Sequence, residues 1–140
     1  MENKKGWWLF SLSGTTTIRP FRIGDLKVAE SLKKNQDFQK VYRNGKSYAN
    51  KYLVMYVLEN DLQKNRIGVS VSKKVGNSVV RHRLARLIRE SFRLNGDKFQ
   101  SGLDIVVIAR NTARGKNYWN ISSAVMHLGK LHNILDEKMM

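Results

Sequence analysis

A single change of hydrophobic period, inside the stretch Arg66 to Arg93, limits what this chain can fold into more than any other feature. The stretch reads RIGVSVSKKVGNSVVRHRLARLIRESFR. Ile67, Val69 and Val71 alternate with Gly68, Ser70 and Ser72, the period of a strand. Lys73 to Ser78 then carry Gly-Asn-Ser, a turn and helix-start signal. From Val79 the period is helical. Val80, Leu84, Leu87, Ile88 and Ser91 fall within about 100° of one another in helical projection, a face that can be buried. His82, Arg86, Arg89 and Arg93 fall on the opposite face, with Arg81 and Arg83 on its flanks. Strand, basic turn and two-faced helix must follow one another directly.

A charged helix face is ordinarily just a solvated one. Two features set this one apart. Its cations are arginines throughout, and the guanidinium fork matches phosphate oxygens two at a time. Glu90 is its only acid, so i,i+4 pairing leaves the ridge almost without internal neutralisation. The face reads as one made to meet phosphates.

The charge balance points the same way. Lysine and arginine number 26 against 11 acids, a formal net charge of +15 over 140 residues, which makes a polyanion the default partner. The length suits one domain with a core and is short for two. A membrane surface is anionic too, but no segment approaches the ~18 apolar residues of a spanning helix, so no membrane partner is expected. There is no cysteine, which excludes disulfides and thiolate metal sites and suits a cytoplasmic chain.

Residues 1–25 read apart from the rest. Lys4 and Lys5 precede Trp7, Trp8, Leu9 and Phe10 in faint imitation of a signal peptide, which Ser11 and Ser13 interrupt. They read as a poorly ordered extension or a misassigned start, with a docking peptide as the alternative for the tryptophan pair. The domain is expected over residues 26–140.

Within it a short helix is expected at Gln36–Asn44, with Asn35 as N-cap and Gly45 as its stop. Phe38, Val41 and Tyr42 share one face, which periodicity alone reads as core packing. Lys51–Leu58 is expected as a strand apolar on both sides, with Tyr52, Val54 and Tyr56 together, and Ser47–Ala49 as a weaker strand before a bend at Asn50. A hairpin through Asn60-Asp61 and Lys64-Asn65 is expected to join the main strand to the one at Arg66. The arginine helix stops at Asn95-Gly96. Leu103–Ala109 then reads as a central strand, so strand, helix and strand form a βαβ crossover with parallel pairing. The last helix, about Asn117–Asp136, carries Ile121, Ala124, Val125, Leu128, Leu131 and Leu135 as one stripe. The fold expected is α+β, a small α/β sandwich in the order αβββαβα.

Chemistry of the chain's own is hard to find. Acid–base or metal-dependent hydrolysis needs carboxylates or histidines converging on one point, and the 11 acids are scattered. His127 and His132, five apart on a helix, diverge rather than chelate; His132 borders the apolar stripe and reads as a packing residue. Neither G-x-S-x-G, a P-loop nor H-E-x-x-H is present. The pattern is that of a binder.

Residues 26–135 resemble the bacterial ribonuclease P protein family. The family's signature, Ser-Val-Ser-Lys-Lys-x-Gly-Asn-x-x-x-Arg-Asn-Arg before a basic helix, runs here from Ser70 to Arg89. Leu32–Phe38, Gly45 with Ala49-Asn50, and the Asp104–Arg110 strand fit as well. His82 stands at the middle of the Arg-Asn-Arg triplet, and Ala85 where many members carry lysine.

The resemblance implies a protein that joins a large catalytic RNA to remove the 5′ leader from precursor tRNA, the RNA with Mg2+ performing the hydrolysis. Lys73, Lys74, Asn77, Arg81, Arg83, Arg86 and Arg89 would then contact the catalytic RNA. By position Phe38, Tyr42 and Tyr56 would line the cleft that takes the single-stranded leader, which reverses the core-packing reading of Phe38 and Tyr42. It implies a left-handed βαβ crossover, against the right-handed rule. The alternative from another class is a ribosomal or RNA-assembly protein of related basic α+β architecture.

Overall fold

The computed structural model describes residues 29–136. The expected extension at residues 1–25, with its tryptophan pair, lies outside them.

The chain enters through β1 (Ala29–Ser31), then forms α1 (Asn35–Asn44), β2 (Lys46–Ala49), β3 (Leu53–Glu59) and β4 (Asn65–Ser70). α2 (Ser78–Asn95), β5 (Leu103–Ala109) and α3 (Tyr118–His132) follow, with 3-10 turns at Gly96–Lys98 and Asn111–Ala113. The expected order therefore gains one strand ahead of its first helix. Three residues of mixed polarity carry too little pattern for β1 to be seen in advance.

The sheet runs β1-β4-β5-β3-β2. β5, apolar at six of its seven positions, lies at its centre, parallel to β4 and antiparallel to β3. The expected hairpin between β3 and β4 is absent, because β5 lies between them. Their connection instead passes over the start of β5, where the Asn60 N–H donates to the Gly102 carbonyl at 2.9 Å. A turn signal between two strands marks a reversal of direction; it does not specify adjacency.

Three local expectations shift for identifiable reasons. Lys34, not Asn35, is the extended residue before α1, and its carbonyl accepts from the Asp37 and Phe38 N–H groups at 3.0 and 3.2 Å. Gly45 ends that helix in ordinary extended backbone; glycine is needed there because a Cβ would lie 2.6 Å from the Val41 oxygen and 2.9 Å from the Val57 oxygen. Tyr52 falls outside β3, since the Asn50 side chain accepts from the N–H groups of Tyr52 and Leu53 and bends the chain. Its ring consequently packs on the α2 and α3 side, away from Tyr56.

Alternation along the strands divides the core. Leu53, Met55, Ile67, Ile105 and Val107 face α2 and α3, meeting Leu84, Ile88, Ile121, Val125 and Leu128. Val106 faces the other way, toward Val41 of α1 and Leu32. α3 is capped by a reciprocal Asn117–Asn120 box and ends at Asn133 in left-handed backbone, φ 60°, so it is shorter than periodicity suggests. Leu131 is 41% exposed, while Leu135 returns after the helix to pack on Gly129 and pair with Phe99.

The topology also constrains hand. β1 and β2 are both parallel to β4 and β5. The crossovers β1–α1–β2 and β4–α2–β5 step across the sheet in the same direction but over opposite faces. They are therefore of opposite hand, and one of them must break the right-handed rule.

Candidate nucleic-acid interface

α2 is positioned by its buried face. Leu84, Ile88, Ser91 and Phe92 are buried, and Val80 and Leu87 are half-buried against the same core. Asn77 caps the helix, its Oδ1 accepting from the Val80 N–H at 3.1 Å, which leaves its amide N–H groups to face a ligand. Lys73 and Lys74 stand exposed in the turn before it.

The arginines sort by what holds them. Arg81 is half-buried and donates to the Gly76 carbonyl at 3.3 Å. Arg83 donates to the Lys116 carbonyl at 3.0 Å, and Arg89 to the Ser31 hydroxyl at 3.1 Å. Arg86 is exposed, with no hydrogen-bond partner among the described residues. None of these four forms an ion pair among those residues; neutral oxygens orient three of them and leave their charge uncompensated. Arg93 differs. Glu90 takes it at 3.0 and 2.5 Å, and the pairing holds the Glu90 carboxyl below the usual carboxylate range.

The opposite face of the sheet is only partly covered by α1. Phe38 lies on Gly68, where a Cβ would come within 2.6 Å of its ring. The Tyr42 and Tyr56 rings meet edge to face at 5.1 Å, and Phe38 and Tyr42 lie 6.3 Å apart. All three are half-buried around the small buried group Leu32, Val41 and Val106. Burial pushes the Tyr42 phenol above its ordinary pKa, and a hydrogen bond with Ser70 partly offsets this. Phe38, Tyr42 and Tyr56 are thus brought together, as expected.

Cleft and ridge lie on opposite sides of the sheet but meet at the end of β4. Ser70 belongs to the cleft, and Lys73 follows within about 10 Å of extended chain. Gly68 and Ser70 were not singled out from the sequence. Their parity, opposite to Ile67 and Val69, was the signal that could have marked them as cleft floor. The anchor of α1 left no such signal: Arg66 grips buried Asp104 at 2.8 and 2.6 Å and reaches Asp37 of α1 at 3.5 Å. Asn60 also donates to Asp104, at 2.8 Å. This pairing keeps Arg66 firmly charged.

A basic α+β domain with an arginine ridge on one face and an aromatic cleft on the other defines an RNA-binding protein. Among the described residues no helix is long and apolar enough to cross a membrane. The family described as Ribonuclease P matches residues 26–132. The Ribonuclease P protein component of Lachnoclostridium phytofermentans is 67% identical over 108 residues, covering 77% of this chain and 93% of that one. That of Alkaliphilus oremlandii is 50% identical over 111 residues, covering 79% and 97%. Among solved structures, the Staphylococcus aureus RNase P protein superposes with a TM-score of 0.71 at 37% identity, covering 76% of this chain and 97% of that one. The Thermotoga maritima RNase P protein does so at 0.68 and 32%, covering 73% and 96%. The chain belongs to the ribonuclease P protein family, whose members are protein components of an RNA-based endonuclease of tRNA processing.

Proposed function

We propose that this chain binds the catalytic RNA of ribonuclease P along α2 and holds the single-stranded 5′ leader of precursor tRNA in the α1 cleft. The observation that carries the first half is the set Arg81, Arg83, Arg86 and Arg89, three of them oriented by neutral oxygens and none in an ion pair among the described residues. Lys73, Lys74 and the Asn77 amide extend that surface at the helix start. The second half rests on Phe38, Tyr42 and Tyr56. Aromatic rings on a sheet stack unpaired bases for about 1–3 kcal/mol each and tolerate any sequence, which suits leaders that differ between tRNAs.

In this reading the protein positions and the RNA reacts. Mg2+ supplies the hydrolytic chemistry when bound to the RNA. Among the described residues no three His, Cys, Asp or Glu side chains are grouped to hold a metal. The chain's own contribution is to neutralise phosphates and to fix the leader beside the site. If the ridge neutralises about five phosphates, affinity for the RNA falls roughly 10²–10³-fold between 50 and 200 mM salt.

Precursor-tRNA cleavage by a bacterial ribonuclease P RNA at low Mg2+, with and without this protein, tests the proposal. The expected result is cleavage at the mature 5′ end that depends on the protein and is lost when Arg86 and Arg89 are both changed to alanine. Tight RNA binding with no stimulation would overturn it.

A further inference from the structure

An open groove of about 420 Å3 lies on the α2 and α3 side of the sheet, between the bend after β2 and the first turns of α3. Trp119 stands at its rim, 76% exposed, its ring edge-on to Tyr118 at 5.1 Å. A lone exposed aromatic is unremarkable on a protein surface. The surroundings of this one are not.

Tyr52 lines the same groove, with the Lys51 and Lys116 ammonium groups 5.6 and 5.5 Å from its ring centroid. The segments that build the groove contain no acid at all, from Lys46 to Leu58 and again from Ile105 to Leu135. Its floor is built rather than loose. Asn50 accepts from two backbone N–H groups through Oδ1, so its Nδ2 is the donor to the Ala124 carbonyl at 3.0 Å and to His127 Nδ1 at 3.2 Å. The His127 proton then resides on Nε2, leaving a donor on an exposed ring. Arg110 clamps the bend from the far side, its guanidinium 2.7 Å from the Asn50 carbonyl.

The groove is also continuous with the α2 ridge, because Arg83 reaches across to the carbonyl of Lys116. We propose that Trp119 and Tyr52, with Lys51 and Lys116, form a second RNA-contact site that stacks an unpaired nucleotide of the catalytic RNA. Aromatic faces beside cations, with no acid to repel phosphate, are the chemistry that recognises single-stranded nucleic acid. The occupant is assigned to the catalytic RNA by continuity with α2; the cleft of Phe38, Tyr42 and Tyr56 lies on the opposite face. The inference rests on the reading of α2 as the RNA-facing helix.

The test measures binding of the full chain to a bacterial ribonuclease P RNA at fixed salt. Trp119→Ala should weaken binding about 5- to 100-fold, Trp119→Phe should recover most of it, and the melting temperature should move by no more than a few degrees. Lys116→Ala should lower the salt slope by about 1, and Trp119→Ala should leave that slope unchanged. The Arg86→Ala, Arg89→Ala double variant serves as reference. Wild-type binding by Trp119→Ala beside weak binding by the double variant would overturn the second site and spare the ridge. Wild-type binding by the double variant would overturn the ridge reading, and this site with it. If Trp119→Ala spares catalytic-RNA binding but weakens precursor-tRNA binding to the assembled holoenzyme, the assigned occupant is wrong.

Discussion

The two faces of the sheet are covered unequally. Two helices close one face over a continuous buried cluster that runs from Leu53 to Leu135. On the other face α1 alone covers part of the sheet, and only Leu32, Val41 and Val106 are buried together. The aromatic residues there are left half-buried, with ring surface still available. The closed face holds the fold, and the open face has surface to spend on a ligand. Substitutions in the buried cluster of the closed face should therefore act on stability, and those of the half-buried rings on the open face on binding.

The largest effect is expected on the closed face. Ile88→Ala removes a fully buried side chain and should cost about 2–5 kcal/mol in urea unfolding. Val41→Ala, the most buried position of α1, should cost about 2 kcal/mol. A larger cost at Val41 than at Ile88 would break the division between the faces. An intermediate effect is expected at Tyr56→Leu, read in binding rather than stability. Holoenzyme affinity for precursor tRNA should fall by about 1–3 kcal/mol, with tRNA lacking a leader bound as before. The same loss for leaderless tRNA would remove the leader from the cleft.

The smallest effect sharpens the comparison at the edge of the closed face. His132 Nε2 donates to the Met55 carbonyl at 2.9 Å, and its ring meets Tyr48 edge to face at 4.7 Å. Burial, with a contribution from Lys46, holds its pKa below the ordinary imidazole value, and the hydrogen bond to Met55 opposes this. The unfolded chain thus binds this proton more readily than the folded one. Stability from His132 is full above the unfolded pKa and declines as pH falls through it toward the lower folded value. His132→Gln should show a smaller drop in melting temperature between pH 7.5 and 5.5 than the wild type. An identical drop would assign the pH sensitivity to other groups.

Much of this molecule was legible in the residues. The switch from period two to 3.6 located β4, the turn and α2, because both periodicities are local consequences of backbone geometry. The nearly all-apolar run of β5 told its central place, since a strand covered on both faces needs one. Arg81, Arg83, Arg86 and Arg89 stood out because helical projection is local as well. The gathering of Phe38, Tyr42 and Tyr56 was reached only through resemblance to a known family; periodicity had read the first two as core.

What the residues could not tell concerns neighbours distant along the chain. The turn after β3 reads the same whether its strands pair or are separated by β5. Asp104, inside an apolar run, finds Arg66 only once the sheet has formed. Tyr52 was expected beside Tyr56, but the Asn50 bend removes it from the strand and sets it opposite Trp119. Sequence alone determined the elements other than β1, their apolar faces and the excess of positive charge, all properties of short segments. Tertiary structure decided which strands adjoin, which face stays open and which aromatic rings share a surface, because those depend on contacts whose partners lie tens of residues apart.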